Sequence, residues 1–311
     1  MRWNLHGTAI GGHSNDPTLR QRWQAAFASL APASGAAEIR LSLDVVATQP
    51  ATPQGEPQFR QGDLLHYYVN GNRVTAHFPR HGQIQMDLDA AESHGRLTAE
   101  ALARYGLLED FIAIALSPHL RRRGMFLLHA FAAAQDGRAL LLVGNTGAGK
   151  TTTGMALLQA GWRLLSNDSP IVDESARLLS YPGLLAAYPD TMLHFAATRH
   201  LAPAAGQDGK IQVAGETLWP GVWLAQARPR AICFPQIDPL GGHRLLPLPA
   251  PETLRRLLPH AVEQWDTSMI PAHLAALRRL AESATGYELR LGPDVESIAP
   301  FLEAKLHFRN P

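Results

Sequence analysis

The sequence predicts an α/β chain in which a small N-terminal α+β part precedes a core built on a strand, a glycine-rich loop and a helix. Three observations carry this expectation. Residues 38–88 alternate apolar and polar side chains in short runs separated by turn residues, as half-buried strands do. Residues 139–143 are wholly apolar, the mark of a strand covered on both faces. Gly144 follows that run directly, and a helix-length segment from Lys150 to Ala160 closes on Gly161.

In chain order, Glu38 to Val45 places Ile39, Leu41, Leu43 and Val45 on one side of a strand. Leu64 to Val69 and Arg73 to Phe78 flank Asn70-Gly71, a strong hairpin signal. Gln83 to Leu88 alternates again and completes a small meander. A helix is expected from about Thr98 to Leu120, burying Leu102, Leu107, Phe111, Ile112 and Ile114. Arg121, Arg122 and Arg123 close that helix against its dipole or contact phosphate or an acidic partner. The expected division is an N-terminal α+β domain over residues 1–121 and a second domain over 122–311.

The second part opens with the apolar stretch from Phe126 to Ala134, interrupted only by His129, and turns at Asp136-Gly137 into the strand 139–143. Leu164-Leu165 forms a short strand leading into Ser166-Asn167-Asp168, and Ile171-Val172, Ile211 to Val213 and Ala231 to Phe234 read as further strands. Pro251 to His260, Ala272 to Ser283 and Asp294 to Phe308 read as helices. Pro203, Gly206 and Gly209 mark 202–209 as the segment expected to move. Trp219, Trp223 and Trp265 read as core or interface anchors.

The 311 residues suffice for a substantial core, and 46% hydrophobic with 18% charged residues is the balance of a globular chain. A net charge of +1 gives no reason to expect a nucleic-acid or membrane partner. Cys233 is the only cysteine, so neither an intrachain disulfide nor a cysteine metal cluster is expected, and a cytoplasmic location fits. The N-terminus carries no apolar run of signal-peptide length, and no run approaches the length of a membrane span.

Gly144-Asn145-Thr146-Gly147-Ala148-Gly149-Lys150-Thr151 matches G-x-x-x-x-G-K-[ST] at every position. The pattern has a physical basis. Glycines let backbone N–H groups turn inward around phosphate oxygens, and the following helix aims its N-terminus at the same anion. ATP is therefore the expected ligand, with Lys150 on the β- and γ-phosphates, the Thr151 hydroxyl on Mg²⁺ and Thr152 beside the α-phosphate. The bland alternative is a glycine-rich turn with an exposed lysine. Lysine is scarce in this chain, at only Lys150, Lys210 and Lys305. Lys210 reads as a solvated turn residue or as one that approaches the acceptor or γ-phosphate.

A two-residue turn at Asp136-Gly137 pairs Gln135 with Arg138, Phe131 with Leu142 and, by extension, His129 with Gly144. His129 thus falls beside the first glycine of the loop, or is a core histidine bonded to backbone. Asp168, at the end of the next strand, is the natural metal-holding carboxylate. Asn-Asp-Ser-Pro is also turn chemistry. Asp173 and Glu174 fit a solvated turn better than a site.

His129-Ala130, the Asp136-Gly137 hairpin, the loop and Asn167-Asp168 together resemble the kinase domain of HPr kinase/phosphorylase, and more closely the HPr kinase-like proteins of bacterial biosynthetic clusters. The resemblance is strong from Leu120 to about Asp173 and weaker over 231–311, where Phe234-Pro235 and the run from Tyr287 to Asp294 carry it. It implies a P-loop kinase core of the phosphoenolpyruvate-carboxykinase-like type and transfer of the ATP γ-phosphate to a serine-like hydroxyl of a peptide, protein or small metabolite. Homo-oligomerisation is compatible with that reading. By the same resemblance Lys150 and Thr151 take phosphate and metal, Asp168 matches the second acid and His129 the active-site histidine. Asn167 departs from it, standing where these kinases keep their first aspartate, the general base. The second HPr kinase signature has no clear copy, so HPr itself is not the expected acceptor. The alternative is an accessory or regulatory protein that binds nucleotide with little transfer.

Overall fold

The computed structural model describes residues 1–202, 209–261 and 263–308. The expected mobile segment lies, over 203–208, outside these residues. The chain is mixed α/β and divides into two compact units, 1–123 with 263–270 and 124–262 with 271–311. No single cut produces the first unit, because residues 263–270 belong to it. No helix among the described residues is long and apolar enough to cross a membrane.

The first unit carries strands β1 (Arg2–Leu5), β2 (Thr8–His13), β3 (Ile39–Val46), β4 (Phe59–Gln61), β5 (Leu65–Asn70), β6 (Arg73–Phe78), β7 (Gly82–Asp87) and β8 (Glu92–Thr98). They form one sheet in the order β1-β2-β3-β8-β7-β6-β5-β4. The run from β4 to β8 is the expected antiparallel meander, whereas β3 lies parallel to both β2 and β8. Helix α1 (Pro17–Ala26) makes the crossover from β2 to β3, its Asp16 cap accepting from the Leu19 N–H at 2.8 Å. The opening hairpin β1–β2 is not anticipated by the periodicity above.

Two local expectations need correction. Asn70 pairs with Arg73, so the hairpin turn is Gly71-Asn72 rather than Asn70-Gly71. Gly71 alone takes a positive φ, +58°, as the first central position of a II′ turn demands. The helix expected over 98–120 is two: α2 (Ala99–Ala103) and α3 (Leu107–Arg121). Gly106, at φ +78°, breaks them apart, and Ile114 is half-buried rather than core.

Helix α3 ends in a buried charge cluster: Arg122 and Arg123 donate to the last-turn carbonyls of Pro118 and His119, whereas Arg121, in that same turn, meets the acidic partners that the sequence left as the other reading. Arg121 donates through Nε and Nη2 to Asp266 at 2.9 and 2.8 Å and pairs with Glu263 at 2.8 Å. Its guanidinium lies over Trp265, which stacks on Tyr67 with ring centroids 5.0 Å apart. These contacts tie 263–270 into the first unit.

His119 is 1% exposed and its Nε2 lies 2.9 Å from Ser93 Oγ. Burial, with added repulsion from Arg123, Arg122 and Arg121, pushes its pKa down to about 4. The folded chain thus keeps the ring neutral at a pH where the unfolded chain protonates it. The associated stability is present above the unfolded value and is lost as pH falls toward the folded one. We expect the urea midpoint to fall between about pH 7 and pH 5, and to fall less in His119→Gln. Equal falls in both would assign the acid sensitivity to other groups, and His77 and His81 shift in the same direction.

In the second unit the strands are β9 (Met125–Leu127), β10 (Ala130–Gln135), β11 (Arg138–Val143), β12 (Arg163–Ser166), β13 (Ile171–Asp173), β14 (Leu178–Leu179), β15 (Leu185–Ala187), β16 (Ile211–Val213), β17 (Gln226–Ile237), β18 (Arg244–Leu248) and β19 (Thr285–Leu291). The main sheet runs β12-β10-β11-β17-β14-β13-β9, with β19 beside β17 and β18 beside β19. Its centre, β11-β17-β19, is parallel, and its β10 and β12 flank is antiparallel. The apolar stretch 126–134 is thus two strands. The strand expected at 231–234 extends to twelve residues, because Gln226 and Ala227 pair with β14, 228–233 with β11 and 231–237 with β19.

The helices are α4 (Lys150–Gln159), α5 (Pro189–Leu193), α6 (Gly215–Leu218), α7 (Ala250–Leu257), α8 (Ile270–Ser283) and α9 (Ile298–Leu306). Helix α4 packs against β10 so closely that a Cβ on Gly154 would lie 2.4 Å from the Phe131 ring. Phe131, Leu140, Leu142, Leu157, Cys233 and Leu289, each fully buried, centre this core. Burial of each large apolar side chain contributes roughly 1.5–3 kcal/mol. Asp173 is buried rather than solvated, accepting from the Arg177 side chain at 2.8 Å and from the Ser175 hydroxyl at 2.7 Å.

Candidate functional site

The site is built where β10 begins and β11 ends. Asp136 and Gly137 adopt φ values of +50° and +72°, the I′ turn that suits a twisted hairpin. The ladder then runs from Gln135↔Arg138 to Ala130↔Val143. One more step would set His129 opposite Gly144, as the turn arithmetic predicts. The chain bends there instead, and the His129 N–H donates to the His260 carbonyl at 2.8 Å.

A second strap holds the Asn167–Asp168 segment against this bend. The Ala130 N–H donates to the Asp168 carbonyl at 2.9 Å and the Leu128 N–H to the Pro170 carbonyl at 3.0 Å. The Ser166 hydroxyl accepts from the Ser169 N–H at 3.0 Å. As a result His129 Nδ1 lies 3.3 Å from Asp168 Oδ1, and His129 Nε2 lies 3.3 Å from Lys150 Nζ. Three residues far apart in sequence thus form one line of contacts, ammonium to imidazole to carboxylate. Asp168 Oδ2 has no protein partner among the described residues, and the side chain is 58% exposed.

Loop 144–149 supplies the other half of the site. Gly147 and Gly149 take φ values of +85° and +98°, open to glycine at little cost and strained for other residues. A Cβ on Gly149 would also meet Leu291 Cδ1 at 2.7 Å. Within the loop the Ala148 N–H turns back on the Asn145 carbonyl at 3.2 Å; the amides of Thr146, Gly147 and Gly149 have no backbone partner among the described residues. Helix α4 starts at once, with neither a side-chain cap nor an acidic residue in its first turn. Its free N–H groups and partial positive charge suit an anion.

Lys150 is 7% exposed, and its ammonium donates to the carbonyls of Gly144 and, at 3.2 Å, Asn145. Burial lowers its pKa, Asp168 opposes the shift and Lys210 adds to it. Lys210 itself lies over the Tyr188 ring at 5.5 Å rather than in a solvated turn. Thr151 is half-buried with no hydroxyl partner among the described residues, while the Thr152 hydroxyl meets that of Thr191 at 3.3 Å. Asn167 Oδ1 is buried without a partner.

The described residues contain no group of three or more histidine, cysteine and acidic side chains fit to cage a metal. Mg²⁺ needs no such cage, because it takes one or two protein oxygens and completes its shell with water and phosphate. Thr151 and Asp168, each with an oxygen that has no protein partner among the described residues, could hold it.

Beside the loop opens a cavity of about 490 Å³, lined by Asn145 and Thr146 on the loop and by Arg255, Arg256 and His260 from α7 and the turn after it. No motif in the sequence marks these three residues as part of a site. The Arg255-Arg256 pair is visible as a basic step in a predicted helix, but helical periodicity does not say which side faces a site. No family model and no curated protein matches the chain.

Proposed function

We propose that this chain is an ATP-dependent kinase that transfers the γ-phosphate to a hydroxyl of a peptide, protein or small metabolite. We further propose that its second unit is a P-loop kinase core of the HPr kinase/phosphoenolpyruvate-carboxykinase-like type. The observation that carries the reading is the contact line Lys150–His129–Asp168, set at the uncapped start of a helix that follows a G-x-x-x-x-G-K-T loop. Loop amides and the helix start would bind the phosphates, and Lys150 would offset charge on the β- and γ-oxygens. His129, bridging Lys150 and Asp168, would orient both. Mg²⁺ held by Thr151 and Asp168 would neutralise charge on the transferred group.

A second reading, an accessory protein that binds nucleotide with little transfer, is favoured by Asn167. Its amide can orient a hydroxyl or a phosphate but cannot accept a proton. Phosphoryl transfer depends chiefly on positioning and charge, with proton removal late, so the amide does not forbid it.

Steady-state ADP release at saturating Mg²⁺–ATP separates the two. Asp168→Asn should lower turnover roughly a hundredfold, with metal-free ATP binding little changed. Asn167→Asp should raise ATP hydrolysis, since a base then faces the transferred group. Parental turnover in Asp168→Asn would remove this carboxylate from the mechanism. A parent inactive with every acceptor, beside an active Asn167→Asp, would establish the accessory reading.

A further inference from the structure

The cavity beside the loop opens at the carboxyl ends of the parallel strands β11 and β17, where Val143 and Gly144 meet Phe234, Pro235 and Gln236. Such strand ends are where open α/β sheets place ligands. Two arginines and no carboxylate line it.

Both arginines are held in place. Arg255 pairs with Glu252 through Nε and Nη2, each at 2.7 Å, and remains 71% exposed. Arg256 meets Glu252 at 2.7 Å and Glu288 at 3.5 Å, and lies over the Phe234 ring at 5.7 Å. The local cluster holds three cations, Arg255, Arg256 and Arg290, against two anions, Glu252 and Glu288, which leaves one positive charge. At the same lining, the His260 ring stacks near His129 with centroids 6.3 Å apart, so the cavity borders the line that runs to Lys150 and Asp168.

We propose that this cavity seats the phosphoryl acceptor, that the acceptor is a small compound carrying a carboxylate or phosphate beside its hydroxyl, and that Arg255 and Arg256 bind that anion. The inference rests on the kinase reading and names its substrate class. Glu252 takes Nε and one N–H of Nη2 in Arg255, which leaves the Nη1–Nη2 edge to an oxyanion, a planar two-donor geometry that lysine does not supply. The volume lies in the range of about 300–1,000 Å³ for small-ligand sites, whereas docking of a folded protein relies on a broad surface of about 800 Å² per partner. An adenosine moiety carries no charge and gives an arginine pair nothing to neutralise. A second anion brought beside the ATP phosphates would be repelled unless offset, and the pair provides that offset.

The test is calorimetry on protein saturated with Mg²⁺ and the imido analogue of ATP, so that the loop is filled. Malonate and inorganic phosphate are the probes, and 1,3-propanediol is the neutral control. At least one anion should bind the parent, the diol should not, and Arg255→Gln should weaken anion binding roughly tenfold with analogue affinity unchanged. Arg256→Gln is the second variant, with circular dichroism to check that the fold survives loss of its packing on Phe234. Three outcomes would overturn the proposal: neither anion binding the parent, equal binding in parent and Arg255→Gln, or a drop in analogue affinity in Arg255→Gln, which would give the pair to the nucleotide. Failure of the analogue to bind the parent would instead overturn the kinase reading and this inference with it.

Discussion

Lys150→Ala should abolish most of the thermal stabilisation that Mg²⁺–ATP confers. A ligand that binds only the folded state, at about a hundred times its Kd, adds roughly 2.7 kcal/mol, or a rise of about 5–11 °C for a unit of this size. The Lys150 ammonium stands at the start of α4, drawn onto the carbonyls of Gly144 and Asn145 and 3.3 Å from His129. With ATP bound it would exchange those carbonyls for phosphate oxygens, each a charge-assisted bond of roughly 1.5–3 kcal/mol. Loss of the group should lower affinity by two orders of magnitude or more, which leaves a residual shift of about 1 °C. Differential scanning fluorimetry of parent and variant, with and without Mg²⁺–ATP, makes the comparison. Equal ATP-dependent shifts would show that loop 144–151 is not where nucleotide binds.

Arg121→Ala should destabilise the first unit by about 3 kcal/mol. Arg121 and Asp266 side chains are each 3% exposed and joined by two hydrogen bonds. Removing the guanidinium leaves the buried carboxylate with Arg122, at 2.9 and 3.1 Å, and the Ser268 hydroxyl, at 3.1 Å. Those remaining partners set the cost near the lower end for a broken buried pair. Replacing both members, as Arg121→Met with Asp266→Leu, should recover part of the loss, because the fully buried carboxylate is then gone and the charges that lose a partner, Arg122 and Glu263, are 25% and 29% exposed. Urea midpoints of the three proteins decide it. A double variant no more stable than the single one would mean that packing over Trp265, not charge, is the dominant contribution.

The same cluster has a pH signature with a definite sign. Burial raises the Asp266 pKa, but hydrogen bonds from Arg122 and the charge and hydrogen bonds of Arg121 outweigh it, and the net shift is downward. A depressed folded value contributes stability above the unfolded pKa, near 4, that is lost as pH falls through the folded one. The Asp266 share of the gap between parent and Arg121→Ala should therefore be lost in acid below about pH 4, after a first narrowing from about pH 7 downward, because Arg121 is also one of the charges that hold His119 down.

Local chemistry made the heart of the molecule legible. Asp136-Gly137 dictates an I′ turn, and the turn dictates the pairing of Phe131 with Leu142, so the hairpin register follows from two residues. Gly147 and Gly149 sit where positive φ is needed, and the helix they introduce ends at Gly161, also at positive φ. His129, Lys150 and Asp168 could be named as a group because each lies at the end of an element whose type was readable. Less was readable where one residue's conformation depends on distant partners. α2 ends at Ala103 and Gly106 starts α3 inside a stretch whose apolar pattern carries on, so periodicity alone runs the two helices together. β17 extends to twelve residues because β14, β11 and β19 offer partners along its length, and a strand cannot announce its partners.

The sequence by itself determined the mixed α/β class, the strand–loop–helix unit at 139–160 and the residue types set around it, because turns, glycine dihedrals and apolar spacing are properties of a few neighbouring residues. Tertiary structure alone decided that His129 bridges Lys150 and Asp168, that 263–270 returns to the first unit through Arg121, and that Arg255, Arg256 and His260 line the cavity beside the loop. Each of these joins residues from 21 to 145 positions apart. Such contacts are set by which buried charge finds a partner and which strand finds an open edge, and these are settled only when the whole core closes.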